Sequence, residues 1–439
     1  MDFLDSHLFF LNIVAEIKGM YMKENVWILN HYASTAFVQR GERHYWMAKE
    51  LLKRGYNPVV FCANTIHNTE DAIEVENDYC VKEQDGITFV IVKTPSYSGN
   101  GISRIRNMYG FYRKVKHVME KFIKAGAPKP DIILASHVHP LTCVAGLQSA
   151  RKYGVPCIVE IRDLWPAALI AAGSMSEKSF IAQMLYKLER YLYTKAQAVI
   201  FTMEGGKEYI QDKKWDKGNG GPVDLEKVFY INNGVDIEGF EKNVMDYPMK
   251  DDDLDDPSKF CVVYTGSVRR INQIDTLLDI AKELEDEPAI QILIWGAGDH
   301  VDQIKERIQK EHISNVKYKG VVSKQQVPWL IRNSDVNIIH WMNMDILKYG
   351  CSYNKLFEYL AAGNPIYSTI HIGYSIIKNN DCGIEAEGHA PQDFAQDIKL
   401  MYRTTQEQRD SWGMNARETA KQFDFSVLTE KLITVMENL

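Results

Sequence analysis

Short apolar runs that alternate with amphipathic helical segments are the feature that most constrains the fold of this chain. Residues 25–30 form one such run, a helical pattern follows at 42–54, and a second run lies at 58–62. This order predicts a βαβ unit, in which the two strands are parallel. The alternation continues through strands at 132–135, 157–160 and 198–201 and helices at 141–153 and 180–196.

A second set of strands and helices follows. Its strands are predicted at 260–264, 290–295, 316–318 and 336–339, and its helices at 276–284 and 302–310. A chain of 439 residues and 50.4 kDa is too long for one ordinary core. We therefore predict an α/β protein with two doubly wound, Rossmann-like domains that face a central cleft. The predicted parts are an extension at 1–21, a first domain at 22–235, a linker at 236–258, a second domain at 259–415, and a C-terminal helix at 416–439 that crosses back to the first domain.

The predicted linker contains an acidic run at 251–256. Closely spaced aspartates can bind a metal ion, but no predicted strand holds these residues in place. The run is interpreted as a solvated linker. No metal site is predicted anywhere in the chain.

Composition narrows the class of protein. The net charge of −7 argues against general nucleic-acid binding. The seven cysteines are scattered and include no C-x-x-C pair, which favours a reducing cytoplasm over a disulfide framework or a zinc site. No apolar stretch reaches the roughly 20 residues that span a bilayer. Residues 1–21 are too acidic at their start for a signal peptide and are interpreted as a peripheral helix or an upstream start.

Glycines follow three successive strands of the second domain. Gly266 follows the first strand, with Arg269 and Arg270 close behind, and two arginines can clamp a diphosphate. Gly296 and Gly298 follow the next strand; a lone G-x-G is equally consistent with a structural turn. The third loop, at 319–322, ends at Val322. Because the carboxyl ends of parallel strands share one edge, these loops are expected to converge there on a ligand.

The segment 352–366 is the strongest candidate for a nucleotide-sugar pocket. Polar turn residues precede a short amphipathic helix that ends at Gly363-Asn364-Pro365. The N-terminus of such a helix can hold a diphosphate through its dipole, and Lys355 adds positive charge there. Glu358, one turn further on, can accept hydrogen bonds from a ribose diol. The alternative is an ordinary capped helix with a salt-bridged glutamate.

In the first domain, polar residues follow two strands. His137 and His139 can act as acid, base or hydrogen-bond donor near neutral pH. Arg162, Asp163 and Trp165 suggest a polar site with an aromatic wall. The alternatives are loop-packing histidines and a local Arg–Asp ion pair.

These motifs together resemble the family-4 retaining glycosyltransferases of GT-B fold. The resemblance covers nearly everything from residue 22 onward, and within the family it points to bacterial surface-polysaccharide transferases, including N-acetyl-L-fucosamine transferases. The motifs that carry it are GERHYWMA at 41–48, RDLWP at 162–166, INNGVD at 231–236, YTG at 264–266 and the stretch 354–365.

On the donor side, the resemblance implies that Glu358 is the second Glu of the family's E-x(7)-E motif, which binds ribose. The first Glu falls at Gly350 and is absent. The family's diphosphate-binding Arg and Lys positions hold Ser267 and Asn272, so Arg269, Arg270 or Lys355 would supply the charge. The other donor-binding residues implied are Gly266, Gly296, Gly298, Val322, Asn354 and Leu356.

On the acceptor side, the resemblance implies that His139 lies near the reacting sugar, with His137 as the fallback. Gly41 would approach the donor phosphate and the acceptor. Arg162, Asp163 and Trp165 complete this side. The implied catalytic residues are His139, Arg270 and Lys355.

The activity implied is transfer of a sugar from a UDP-sugar with retention at the anomeric carbon. Lysine, arginine and a helix dipole would stabilise the leaving diphosphate, so no metal cofactor is required. Two other classes share this pattern: a non-hydrolysing UDP-sugar 2-epimerase, and a non-catalytic protein that binds nucleotide-sugars or glycans.

The acceptor predicted is a glycan or a lipid-linked saccharide. Residues 104–124 combine seven lysines and arginines with apolar positions at helical spacing. Such a helix can lie on anionic lipid, so a peripheral contact with the inner face of the cell membrane is one hypothesis. The alternative, which is favoured slightly, is a helix packed on the sheet with solvated basic residues.

Overall fold

The computed structural model describes residues 24–66, 69, 71–99 and 101–439. These residues form two compact units. The first unit runs to Thr202 and also contains Gly206–Ile231 and Thr429–Leu439, and the second contains Met203–Gly205 and Asn232–Leu428. The chain thus changes unit after Ile231, earlier than the expected boundary at 235. The extension expected at 1–21 lies outside the described residues.

The first unit is built on one twisted sheet. Its described strands are β1 (Asn25–Leu29), β2 (Asn57–Ala63), β3 (Tyr79–Gln84), β4 (Ile87–Val92), β5 (Ile132–His137), β6 (Cys157–Ile161), β7 (Ala198–Phe201) and β8 (Val228–Tyr230). Their order is β3-β4-β2-β1-β5-β6-β7-β8. The predicted parallel pairing is confirmed except at one edge, where β3 runs antiparallel to β4. Asp85 and Gly86, both at positive φ, make the tight hairpin turn there.

Helices follow most strands of the first unit. They are α1 (Ser34–Gln39), α2 (Arg43–Lys53), α3 (Ile102–Lys124), α4 (Pro140–Tyr153), α5 (Ala167–Ala171), α6 (Phe180–Lys195) and α7 (Gly206–Asp212). The long helix α3 packs against α4, and α4 packs against α6. Apolar residues three or four apart on α3, such as Phe111, Val115 and Val118, are fully buried, which explains why this segment folds as an amphipathic helix.

The second unit has a fully parallel sheet. Its described strands are β9 (Phe260–Thr265), β10 (Ile290–Trp295), β11 (Val316–Gly320), β12 (Val336–Ile339), β13 (Ile366–Ser368) and β14 (Gly383–Glu385), in the order β11-β10-β9-β12-β13-β14. Its helices are α8 (Ile237–Asp246), α9 (Ile274–Lys282), α10 (Val301–Lys310), α11 (Val327–Arg332), α12 (Asn354–Ala362), α13 (Ile376–Asn379), α14 (Pro391–Arg403), α15 (Gln406–Lys421) and α16 (Phe425–Glu437). Helix α16 begins in the second unit and ends in the first.

Each sheet has one point where its strand order reverses. In the first unit this point lies between β1 and β5, and in the second between β9 and β12. Ligands of open α/β sheets bind outside the carboxyl ends of the strands at such a point. The loops after β1 and β5, and those after β9 and β12, are therefore where the candidate site residues are to be sought.

The expected linker at 236–258 is wrong as a description of this segment, since it folds as part of the second unit. Residues Ile237–Asp246 form helix α8. Its Phe240 is 4% exposed and lies 5.5 Å below the guanidinium of Arg332, which also donates a hydrogen bond to Glu241. The apolar spacing of α8 gives it one face to bury, so the segment folds against the unit.

The interpretation of the acidic run as solvated holds for Asp252 and Asp255, which are exposed, but is wrong for Asp253. Asp253 is 3% exposed and accepts hydrogen bonds from the ammonium groups of Lys259, Lys317 and Lys319 at 2.8, 2.5 and 2.7 Å. Burial alone would raise the pKa of Asp253, but these lysines hold it well below its usual range. Two of them project from β11, so the run fastens the preceding segment to the sheet edge.

None of the described helices combines the length and apolar character needed to cross a bilayer. Helix α3 is long enough, but its seven basic residues keep one side polar.

Candidate active site

Helix α12 starts without a side-chain cap, contrary to the expectation that its polar turn residues cap it. Tyr353 occupies the N-cap position, and no side chain there bonds to the first turn. The Oδ1 atom of Asn354 instead accepts a hydrogen bond from Asn233 Nδ2 at 2.9 Å. The positive end of the helix dipole is therefore not neutralised by a capping oxygen.

The INNGVD motif fixes the turn that leads into α12. The backbone N–H of Asn233 donates to Ser352 Oγ at 3.0 Å, and its side-chain amide donates to the Ser352 carbonyl at 2.9 Å. Ser352 in turn bonds to the Oδ1 atom of Asn232. Two motifs that lie about 120 residues apart thus form one clamp, a contact that sequence reasoning did not identify.

Lys355 is a partly buried cation with no anionic partner. Its Nζ atom lies 4.1 Å from the centroid of the Tyr264 ring, and it makes no hydrogen bond or ion pair with any described residue. A Cβ atom added at Gly266 would lie 2.9 Å from this Nζ, so the glycine leaves room for the ammonium. Burial lowers the pKa of Lys355 to about 8, a shift that the nearby Glu358 carboxylate partly offsets.

Glu358 lies one helical turn beyond Lys355 and is also partly buried. Burial raises the pKa of Glu358, while the charges of Lys324 and Lys355 act in the opposite direction. No hydrogen bond or ion pair joins Glu358 to another residue in the described part of the chain, so the salt-bridged glutamate of the alternative interpretation is not observed. Lys355 and Glu358 carry opposite charges one helical turn apart but form no ion pair with each other. This arrangement is expected where a ligand completes the site.

The glycine loops of β9, β10 and β11 converge as predicted. A Cβ atom at Gly296 would lie 1.6 Å from the Gly266 carbonyl oxygen, and one at Gly298 would lie 1.9 Å from the Val268 oxygen. The Gly296 N–H donates to the Gly320 carbonyl at 2.8 Å. The glycines thus allow neighbouring loops to pack on one another. The G-x-G turn therefore has a structural role, whether or not it also contacts a ligand.

The other donor-side residues differ in placement. Arg269 is partly buried and Arg270 is exposed in the loop after β9, and neither forms an ion pair within the described residues. Val322 is partly buried in the loop that carries Lys324. Leu356 is 2% exposed, so its side chain packs in the interior and only its backbone is left to face a ligand. The roles of these residues stay predictions.

His340 is a candidate that sequence reasoning missed. It follows β12 at the reversal point and is 2% exposed. Its Nδ1 lies 2.7 Å from Thr369 Oγ1, and its Nε2 lies 2.9 Å from the Gln273 carbonyl oxygen. Burial lowers the pKa of His340 to about 4, and the charge of Lys355 acts in the same direction. The signal available was a histidine directly after a buried strand.

In the first unit, the reversal point holds three buried histidines. His31 follows β1, His137 is the last residue of β5 and His139 follows it; all are at most 2% exposed. Nδ1 of His31 lies 2.6 Å from Nε2 of His139. Burial lowers the pKa of His137 to about 4 and that of His139 well below its ordinary value. The structure thus supports the two predicted histidines as neighbours and adds His31 to them.

The loop after β6 brings an aromatic wall next to this cluster. The rings of His137 and Trp165 lie 6.3 Å apart in an edge-to-face arrangement. Arg162 is partly buried and Asp163 is exposed, and no ion pair joins them in the described structure. The local Arg–Asp pair proposed as the alternative is therefore absent.

Gly41 is buried at the start of α2, between two residues with positive φ, Arg40 and Glu42. Non-glycine residues rarely adopt this conformation, so the loop is held by its surroundings. Immediately after it, Arg43 Nε and His44 Nε2 contact the Glu160 carboxylate at 2.7 and 2.9 Å.

Glu160 is the centre of a closed network that sequence reasoning did not predict. It is 1% exposed, and in addition to its contacts with Arg43 and His44 it accepts a hydrogen bond from Ser136 Oγ at 2.8 Å. Arg43 also donates to the Ile231 carbonyl at 3.0 Å. Burial would raise the pKa of Glu160, but Arg43 and His44 hold it well below its ordinary value. The network ties α2, and with it the Gly41 loop, to β5, β6 and the end of β8.

The described residues contain no cluster of three or more His, Cys, Asp or Glu side chains with a geometry suited to a metal ion.

Comparisons with known proteins agree with this architecture. Residues 45–238 match the family model described as Glycosyltransferase Family 4, and residues 249–419 match the model described as Glycosyl transferases group 1. Among curated proteins, WcaI of Escherichia coli (strain K12), named for colanic acid biosynthesis, is 23% identical over 216 residues, 48% of this chain and 51% of that protein. WbjE of Pseudomonas aeruginosa, named as a glycosyltransferase, is 20% identical over 255 residues, 57% of this chain and 60% of that protein. The chain thus spans about half of each relative's length.

Solved structures share the fold over nearly the whole chain. Sucrose-phosphate synthase from Thermosynechococcus elongatus has a TM-score of 0.69 at 14% identity and covers 95% of this chain and 99% of its own. Anabaena Alr3699/HepE, solved in complex with UDP and glucose, has a TM-score of 0.65 at 15% identity and covers 95% and 100%. At such low identity these likenesses show the GT-B fold alone. The two glycosyltransferase family models together cover most of the chain, the family 4 model over its first half and the group 1 model over its second.

Proposed function

We propose that this protein is a retaining glycosyltransferase that moves an N-acetylated or deoxy hexose from a UDP-sugar to a glycan or lipid-linked saccharide. The process is the synthesis of a bacterial capsule, O-antigen or exopolysaccharide. The name of WcaI supports this context, the names of both curated relatives support glycosyl transfer, and the Anabaena neighbour's complex with UDP and glucose supports a UDP-sugar donor. The reaction takes place in the cytoplasm, at the inner face of the cell membrane.

The unpaired charges of α12 carry this proposal. A diphosphate would give Lys355 and the uncapped helix end their missing anion, and a ribose diol would give Glu358 its missing donors. A ligand with an anionic part and a diol one helical turn apart fits both needs at once. Arg269 and Arg270 are the further cations assigned to the diphosphate.

The chemistry follows from this placement. The bond between the anomeric carbon and the diphosphate oxygen breaks, and the acceptor oxygen bonds to the same face of the sugar. The proton of the acceptor hydroxyl passes to the departing diphosphate oxygen, so atoms and charge balance without a protein carboxylate as nucleophile. Lys355 and the helix dipole stabilise the negative charge that develops on the leaving group.

Three classes of function are distinguished by one experiment. The protein is incubated without acceptor with UDP-N-acetylglucosamine, UDP-N-acetylgalactosamine and UDP-glucose, and the released sugar is followed by proton NMR. Slow hydrolysis that first yields the anomer of the donor supports a retaining transferase. A released C2 epimer would instead identify an epimerase, and UDP binding without turnover of any donor, even with a membrane extract as acceptor source, would identify a binding protein.

An exposed apolar and basic surface on the first unit supports a lipid-linked acceptor. Helix α3 exposes Ile102, Ile105 and Tyr109 on one side, and α6 exposes Phe180 and Ile181. Both helices follow strands of the parallel part of the sheet, so both begin at the carboxyl edge, where His137 and His139 also lie. The alternative interpretation, in which α3 simply packs on the sheet, accounts for the buried face of this helix. It does not account for the exposed apolar face.

The charge of helix α3 supports an anionic membrane as the proposed partner of this surface. Helix α3 carries seven lysines and arginines and a single glutamate, in a chain whose net charge is −7. Exposed apolar side chains flanked by basic residues suit the interface of an anionic bilayer.

Vesicle flotation tests the membrane contact. We expect the protein to float with phosphatidylglycerol vesicles and much less with phosphatidylcholine vesicles. The double variant Ile105→Ser/Phe180→Ser should lose flotation, whereas Met414→Ser, a matched exposed apolar residue of the second unit, should retain it. Equal flotation of both variants would contradict the assignment.

A further inference from the structure

His31 contacts His139 through a short interaction between two ring nitrogens. The atoms His31 Nδ1 and His139 Nε2 are 2.6 Å apart, although the residues are 108 positions apart in the chain. Two imidazole nitrogens approach this closely only when one carries a hydrogen and the other offers a lone pair. The loops after β1 and β5 bring them together because these strands are adjacent at the reversal point of the sheet.

The ring of His31 is held firmly in place. It packs against Phe111 and Tyr32 in tilted arrangements, with ring centroids 4.6 Å away in each case, and it is fully buried. Tyr32 is itself fixed, because Arg104 Nε donates a hydrogen bond to its hydroxyl at 3.0 Å. Two aromatic neighbours restrict the rotation of the His31 ring, which keeps its Nδ1 directed at His139.

The surroundings of His139 favour a neutral ring. Burial is the main reason for its lowered pKa, and His31, His137 and Arg104 add unfavourable charge–charge interactions with its protonated form. Thr142 Oγ1 lies 3.3 Å from the Nε2 that faces His31. Nδ1 of His139 is buried and has no hydrogen-bond partner in the described structure. In a neutral ring, the state of Nε2 decides whether Nδ1 is a donor or an acceptor.

We propose that His31 is a positioning residue that holds His139 in one neutral tautomer, and so fixes whether the free Nδ1 donates or accepts a hydrogen bond. The catalytic relevance of this pair depends on the function proposed above, since the family resemblance implies that His139 lies near the reacting sugar. The pairing itself does not depend on it. A buried neighbour such as His31 can orient the His139 ring in a way that a solvent molecule cannot.

Nitrogen NMR of histidine-labelled protein tests the proposal without any substrate. The His139 signals are assigned by their loss in His139→Gln. In the wild type we expect two well-separated ring nitrogen shifts, typical of one neutral tautomer, which stay constant from pH 6 to 8. In His31→Phe, which keeps a packed ring but lacks the nitrogen, the two shifts should move toward each other as the tautomers exchange, or should titrate.

The variant His31→Asn provides the conservative control, because its side-chain amide can reach a position close to that of Nδ1. It should restore a single tautomer, and circular dichroism should show that both variants are folded. Unchanged His139 shifts in His31→Phe would overturn the proposal; so would mixed tautomers in the wild type. If a donor is turned over, kcat in His31→Phe should fall by about tenfold or more with KM little changed. A normal NMR result with no turnover of any donor would count against the function and leave the pairing intact.

Discussion

Two sites, one in each unit, differ in how their buried or partly buried charges are compensated. In the first unit, Glu160 is enclosed by Arg43, His44 and Ser136, so its charge is compensated within the fold. In the second unit, Lys355 and Glu358 lie one turn apart on α12 without an ion pair between them. A buried charge with partners inside the fold holds a loop in place. A buried charge without partners lowers stability, and it is expected where a bound ligand supplies the missing partner.

This contrast separates structural from binding residues more sharply than exposure alone. Residues of both groups are buried or partly buried, and each group lies near the carboxyl edge of its own sheet. The difference lies in whether the polar atoms already have partners. It predicts that substitutions in the first group change stability, and that substitutions in the second change ligand binding.

The largest expected effect is the loss of Glu160. Substitution by Ala would leave Arg43 as a buried, unpaired cation, and breaking such a pair costs about 3–5 kcal/mol. Thermal or urea unfolding should show this loss. Glu120→Gln, which removes a solvent-exposed ion pair with Lys152 in the same unit, should change stability little. If both variants unfold alike, the Glu160 network is not a structural centre.

Replacing Lys355 should weaken UDP binding without lowering stability, the opposite of the effect expected for Glu160. In Lys355→Met the buried ammonium is exchanged for an apolar chain of similar length, so the free energy of unfolding should stay the same or rise by about 1–2 kcal/mol. The affinity for UDP should fall by about 10- to 100-fold, the usual worth of a charged hydrogen bond. Calorimetry and thermal melting on one sample check both. A destabilised variant that still binds UDP would break the contrast between the units.

The pKa of Lys355 gives the next effect. Since it is about 8, the ammonium is largely protonated at pH 7 and loses its proton above pH 8. UDP affinity should therefore decline as the pH rises past 8, by up to about tenfold per unit until the higher pKa of Lys355 in the UDP complex is reached. Lys355→Arg stays protonated throughout this range and should show a flatter profile. Parallel profiles for the two proteins would remove Lys355 from the site.

The buried carboxyl group of Glu189 provides a further test within the first unit. Burial raises its pKa to about 8, although the hydroxyls of Tyr193 and Tyr209 donate to it at 2.6 and 2.9 Å. The unfolded chain releases this proton near pH 4.5, so the wild type loses stability as the pH rises from about 4.5 to 8.

The variant Glu189→Gln has no such proton, and its melting temperature should exceed that of the wild type increasingly over this range. A constant difference between pH 5 and 8 would show that Glu189 is ionised in the folded state.

Much of the fold was predictable because each strand can be recognised from a short segment of the sequence. The apolar runs of β1, β9 and β10 are bounded by turn residues, and their alternation with helices determines a parallel sheet. The convergence of Gly266 with Gly296 followed from strand direction alone. Helix α8 was missed because a polar, acidic stretch next to it suggested a linker.

The site was predictable only where one segment supplies it. Lys355 and Glu358 share a helix, so their spacing could be read from the chain. The His31–His139 contact and the partners of Asp253 join residues far apart in sequence, and no local pattern encodes such pairs. The same holds for Asn233, whose motif was noticed but whose hydrogen bonds to Ser352 were not.

The most direct test of the central claim is a calorimetric titration of UDP into the wild type and Glu358→Ala, with GDP and ADP as controls. If the charges of α12 bind a nucleotide diphosphate and its ribose, the wild type binds UDP and the variant loses at least about tenfold in affinity. A preference for UDP over GDP and ADP would further support the proposed UDP-sugar donor. Absence of UDP binding, or equal binding by the two proteins, would contradict the assignment of this helix as the donor site.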